Sequence, residues 1–224
     1  MILLAIDTSG KNGGITLARL DESRASDVLS FIETVPLEGG TFSAQLVPQV
    51  AGLLAKHELT KNDIGAFAVV SGPGSFTGLR VGLAAVKGLA EILGKPIVAV
   101  SRLEVVARSG ESRGKVIAAL DAGRNEVYVG EYEVNERAEI IGERLVSREE
   151  FLSLAGTGKL VTPERLLVDA AAAAGLSVEE VAPPSSAAIA RMGFEKIMRG
   201  ETISPEDLEA NYIRRSDAEI FAKK

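Results

Sequence analysis

The tightest constraint on the fold is a pattern that occurs twice. Residues 2–7 (ILLAID) and 116–121 (VIAALD) are short apolar runs closed by an aspartate. Each then turns through small residues, TSGKNGG after Asp7 and AGRNEV after Asp121, toward a second segment of strand character. Gly13–Leu20 and Val28–Pro36 follow the first run, and Glu126–Val134 and Glu139–Val146 follow the second. Their β-branched and alternating residues, bounded by Gly, Asn and Asp, read as strands. Segments of helical period come next in both halves. Leu46, Val50, Leu53 and Leu54 recur at helical spacing in a helix from about Thr41 or Ser43 to His57, with Pro48 expected to bend it. Ser101 and Ser147 stand as N-caps of later helices. A repeated unit of three strands followed by helices and further strands predicts an α/β protein with a mixed sheet in each half. The expected division is 1–110 and 111–224, with Asp7 and Asp121 both directed into a cleft between the halves. Taken singly, each aspartate reads more readily as a turn cap after a strand.

Composition narrows the chemistry. Aromatic residues make up 4% of the chain and Trp is absent, so Val, Leu, Ile and Ala must fill the core. Without cysteine there is no disulfide, no thiolate nucleophile and no thiolate-ligated metal. The single histidine, His57, reads as a solvated residue near a helix C-terminus, favoured there by the helix dipole. The net charge of −6 argues against a self-sufficient RNA binder. The basic end (Arg214, Arg215, Lys223, Lys224) reads as a solvated terminus or as a tRNA contact made within a complex. The apolar run Ile2–Ile6 is too short for a secretory leader, and nothing reaches the roughly 18–20 apolar residues that cross a bilayer. A cytoplasmic protein with no membrane partner is expected.

Residues 71–94, SGPGSFTGLRVGLAAVKGLAEILG, are the most informative stretch. A strand ends at Ser71, the Gly72–Pro73–Gly74 turn follows, and Ser75 or Thr77 caps a helix to about Leu93. At roughly 100° per residue, Leu79, Leu83, Val86, Ala90 and Leu93 form an apolar stripe, with Arg80, Lys87 and Glu91 on a charged one. Gly78, Gly82 and Ala85 form a third face. A helical glycine costs about 1 kcal/mol relative to alanine, so another backbone is expected to come close to that face. Internal packing and contact with another molecule fit this equally well. Phosphate binding by GPGSFTG at the helix N-terminus is a third reading, although the segment has no P-loop lysine directly after Gly78.

Three segments together carry a family resemblance: ILLAIDTSG with GGITLA, AVVSGPGSFTGLRVGLAAVKGLA, and VIAALDAGRNEVYVGEY, with EANYIRR near the end. They resemble the TsaB family over nearly the whole chain. The resemblance implies a two-lobed actin-like/ribonuclease H-like ATPase fold. It also implies a non-catalytic subunit needed to make threonylcarbamoyladenosine beside the anticodon of tRNAs that read codons starting with A. The implied partners are a TsaD-type transferase and a TsaE-type ATPase, with a homodimer when the subunit is alone and tRNA reached only through the complex. No catalytic residue and no metal ligand is expected. Where catalytic relatives carry metal-binding histidines, this chain has Phe42, with Gln45 and Gln49 nearby. No cofactor is required by the chain itself, and ATP or ADP enters only within the complex. The resemblance tips the glycine face toward an intermolecular contact. The implied interface is Leu46, Val50, Gly78, Arg80, Gly82, Ala85 and Leu89. The alternative is a nucleotide-dependent enzyme or glycopeptidase-like hydrolase of the same fold, with phosphate hairpins at Asp7, Thr8, Ser9 and Gly13 and at Asp121 and Gly123.

Overall fold

The computed structural model describes residues 1–21 and 28–214. Arg215, Lys223 and Lys224 of the basic end lie outside them. The order of elements is β1 (Ile2–Asp7), β2 (Asn12–Asp21), β3 (Val28–Glu38), α1 (Phe42–Lys56), β4 (Ile64–Gly72), α2 (Phe76–Leu93), β5 (Ile97–Ser101) and α3 (Arg102–Ser109). Then come β6 (Gly114–Gly123), β7 (Glu126–Val134), β8 (Ala138–Ser147), α4 (Arg148–Ala155), β9 (Lys159–Thr162), α5 (Arg165–Ala173), β10 (Val178–Glu180) and α6 (Ser186–Met198). The expected strands and helices are present. Strand β10 was not anticipated, because VEE carries no apolar pattern. Pro48 lies inside α1 without ending it.

The two sheets have the same plan. One runs β3-β2-β1-β4-β5 and the other β8-β7-β6-β9-β10. In each, the first three strands pair antiparallel and the first strand pairs parallel with the fourth. The duplication read from the two aspartate-ended runs is therefore a duplication of topology.

The chain does not divide at residue 110. One unit is Met1–Val100 with Ser185–Asn211, and the other is Ser101–Pro184 with the chain from Tyr212 on. Two packing facts set this division. Helix α3 buries Leu103, Val106 and Ala107 against Val116, Ala118 and Tyr132 of β6 and β7. Helix α6 returns to the first sheet: Gly193 seats it on Ala68, and the Ser186 hydroxyl lies 2.8 Å from that of Thr16. In the first unit α6 covers one sheet face and α1 with α2 cover the other, which buries both sides of β1. In the second unit Ile117, Val127 and Val129 pack under Phe151 of α4 and Leu167 of α5. Among the described residues no helix is long and apolar enough to cross a membrane.

Candidate functional site: the first turn and the outer faces of α1 and α2

Asp7 ends β1 and Thr8 and Ser9 follow it, and the chain brings them together with Gly13, Gly78 and Gly82. Asp7 is 4% exposed, and its Oδ1 accepts from the Ser9 amide at 2.8 Å and the Ser9 hydroxyl at 2.6 Å. The Thr8 hydroxyl donates to the Gly78 carbonyl at 2.7 Å, and the Ser75 amide donates to the Ser9 carbonyl at 2.7 Å. Helix α2 begins here, with the Ser75 hydroxyl capping the Gly78 amide at 3.3 Å. The turn and the helix N-terminus thus satisfy each other.

The glycines explain how the helix comes so close. A Cβ on Gly78 would overlap the Thr8 carbonyl oxygen, and one on Gly82 would overlap the Thr8 hydroxyl. Gly78 and Gly82 are therefore corrected from a partner contact to an internal one: they seat α2 on the turn after β1. Gly13 leaves room for the buried ring of Phe42, 2.8 Å from where its Cβ would stand. Phe42 has no donor atom, so its side chain offers nothing to a metal. In this structure the Thr8 and Ser9 hydroxyls donate within the protein, and the Ser75 hydroxyl caps the Gly78 amide.

Asp121 and Gly123 belong to the other unit. Asp121 is exposed, with Arg148 3.7 Å away. Gly123 opens the tight β6–β7 turn, and its carbonyl accepts from Arg214 at 3.4 Å. The second set of proposed phosphate ligands is thus engaged by arginines of its own unit. Arg214 itself is corrected from a free basic end to a residue bound into this turn.

The expected interface residues separate by burial. Leu46 (2% exposed) and Val50 (7%) face inward and are core residues, because α1 turns its Phe42, Leu46, Val50, Leu53 and Leu54 stripe onto the sheet. Arg80 is exposed on α2 and lies over the Phe76 ring at 3.9 Å. Ala85 and Leu89 are half-buried on a flank of α2.

Sequence reasoning missed the open surfaces of α1 and α2. Ala44, Val47, Pro48, Ala51, Gly52 and Ala55 are exposed on α1, with Val47 60% exposed. Ala84, Gly88 and Ile92 are exposed on α2, with Ile92 76% exposed. From Phe42 to Ala55 no side chain carries a charge, whereas a solvated helix face is ordinarily polar and charged. That uncharged run was the available signal. The charge begins at Lys56. Its ammonium lies 2.7 Å from one oxygen of Glu33 on β3, while His57 Nε2 lies 2.7 Å from the other. His57 is therefore corrected from a free solvated residue to one half of a clip between α1 and β3. Hydrogen bonds from Lys56 and then His57 hold the Glu33 carboxyl below its usual range.

A family model described as "TsaD: tRNA N6-adenosine threonylcarbamoyltransferase" matches residues 37–201. The chain belongs to the TsaD family. Within it, the chain is TsaB/YeaZ-like. The protein named "tRNA threonylcarbamoyladenosine biosynthesis protein TsaB" in Escherichia coli is 28% identical, over 97% of this chain and 96% of that protein. The Bacillus subtilis protein of the same name is 35% identical over 59% of this chain and 56% of that protein. Among solved structures, YeaZ from Pseudomonas aeruginosa matches with a TM-score of 0.69 at 27% identity, covering 94% of this chain and 99% of that one. A second P. aeruginosa structure, described as an uncharacterized protein with similarity to peptidase YEAZ, matches with a TM-score of 0.75 at 26% identity, covering 95% and 99%. The paired mixed sheets are thus the actin-like architecture of this TsaB/YeaZ-like group within the TsaD family.

Proposed function

We propose that the chain is a non-catalytic subunit in the biosynthesis of threonylcarbamoyladenosine in tRNA. In this reading it binds and activates a TsaD-type transferase through the outer faces of α1 and α2. The observation that carries the reading is the uncharged exposed surface of α1, where Val47 and Ala51 are open, together with the exposed Ile92 of α2. Exposed apolar patches of this kind mark protein–protein contacts. Family membership supports the choice of partner, since this chain and a TsaD-type transferase share one family model. The same face serves a homodimer when the chain is alone, and a TsaE-type ATPase joins the assembled pair. The committed hydroxyls of the first turn support a chain that needs no nucleotide of its own.

Titration calorimetry with a TsaD-type subunit tests the docking face. Val47→Glu and Ile92→Glu are expected to weaken binding at least about tenfold, the equivalent of about 1.4 kcal/mol. Ile140→Glu, an exposed isoleucine of the other unit, is expected to leave binding unchanged. Wild-type affinity in both α1–α2 variants would refute the face. The pathway role is tested separately, by restoring the modified nucleoside in a strain lacking its own TsaB, read by mass spectrometry of tRNA hydrolysates.

A further inference from the structure

The turn that joins β6 to β7 is built around a positive charge. Gly123, Arg124 and Asn125 are consecutive residues with φ of 68°, 55° and 62°. The carbonyls of Ala122 and Gly123 both face the guanidinium of Arg214, at 2.9 and 3.4 Å, and the Glu126 carboxylate closes on the same group. The ring of Tyr128 lies beside it, 6.0 Å from the guanidinium carbon. Burial holds the Tyr128 hydroxyl above its ordinary range, partly offset by the charge of Arg214. The Arg214 side chain is only 21% exposed.

The Ala122 carbonyl meets one terminal nitrogen of Arg214, and the Gly123 carbonyl with the Glu126 carboxylate meets the other; carbonyl and carboxylate oxygens are the ligands a hard cation takes. The set contains no hydrogen-bond donor, so it is satisfied only by a donor-rich or positively charged occupant. The guanidinium meets that need with donors on both of its terminal nitrogens. An oxygen-coordinated metal ion would meet it in the same place.

We propose that the β6–β7 turn is an oxygen-lined cation cradle whose resident cation is the chain's own Arg214, and that it binds a hard divalent ion such as Ca²⁺ when the guanidinium is withdrawn. Arg214 and the ion compete for the same three oxygens. Arg214 is then a positioning residue that fixes the turn without metal. This inference does not depend on the docking face of α1 and α2.

Terbium(III) stands in for Ca²⁺ in the test, because an adjacent tyrosine sensitises its emission and Tyr128 is at the site. Arg214→Ala is expected to raise tyrosine-sensitised emission several-fold over wild type. Excess Ca²⁺ should quench the gain, and adding Glu126→Gln should remove it. In 10 mM CaCl₂ the unfolding midpoint of Arg214→Ala is expected to rise by about 2–5 °C, with wild type and Arg214→Lys unmoved. If Arg214→Ala does not fold, Arg214→Gln carries the same expectations, since it keeps part of the stem and a neutral donor. The proposal is overturned if the charge-removing variant shows neither emission gain nor midpoint shift. It is equally overturned if wild type responds as strongly, or if the added Glu126→Gln leaves the signal intact.

Discussion

At the scale of single residues, the glycines of α2 divide into two kinds, and stability measurements should separate them. Gly82 faces the Thr8 hydroxyl, which is itself donating to Gly78. An added methyl there must displace either the hydroxyl or the helix, and overpacking of this sort costs about 1–3 kcal/mol. Gly88 has nothing within 4 Å of the position its Cβ would occupy. There the helix propensity of alanine acts unopposed, and Gly88→Ala is expected to stabilise by about 0.5–1 kcal/mol. Urea unfolding of the two variants should give shifts of opposite sign. A loss at Gly88 as large as that at Gly82 would mean that the two positions have the same surroundings. The need for close approach on the Gly78–Gly82 face was legible from helix spacing alone. The approaching group was not, because Thr8 lies 70 residues from Gly78 in sequence and period carries no information across that distance. Sequence separation also hid Gly13 beneath Phe42 and, at 92 residues from Ala122, Arg214 in its turn.

At the scale of elements, α1 is held by its apolar stripe and by one clip at its end. Lys56 and His57 lower the Glu33 pKa below its ordinary 4.5, so the paired form is the charged carboxylate. A depressed carboxylate contributes stability that is complete above its unfolded value and lost as pH falls through its folded one. Wild type should therefore lose more stability than Glu33→Gln between about pH 5 and pH 3, with the two curves parallel above that window. Thermal midpoints across this range check it, and parallel curves throughout would show that the clip contributes nothing. The end of α1 was legible from the Leu46–Leu54 stripe and the first charge at Lys56. The clip was not, since Glu33 sits in a strand whose exposed positions follow no clean alternation. Burial also decided which half of α1 could serve a partner: the stripe that defined the helix in sequence is the half the sheet consumes, leaving Val47 and Ala51 outside.

At the scale of the whole molecule, the repeated topology was readable because strand period and turn chemistry are local. The boundary was not, because it depends on which sheet α6 covers. Helix α6 buries Ile189, Ala190, Met192 and Gly193 and lies against β1, β2 and β4. A fragment ending at residue 110 would leave Leu3 and Ala68 uncovered on that face and would carry α3 without β6 and β7, its packing surface. Fragment 1–110 is accordingly expected to unfold without a cooperative transition. Residues 1–100 joined to 185–211 by a flexible Gly/Ser linker should regain one, because the linker costs only slowly growing loop entropy while the helix restores the apolar cover. Circular dichroism melts of the two fragments decide the matter. A sharp transition in 1–110 equal to that of the joined fragment would show that the first sheet is complete without α6. The contrast also bears on how a duplicated chain is wired. The first unit is closed by a helix that follows the entire second sheet in sequence, so neither unit's core is complete until most of the chain has been made.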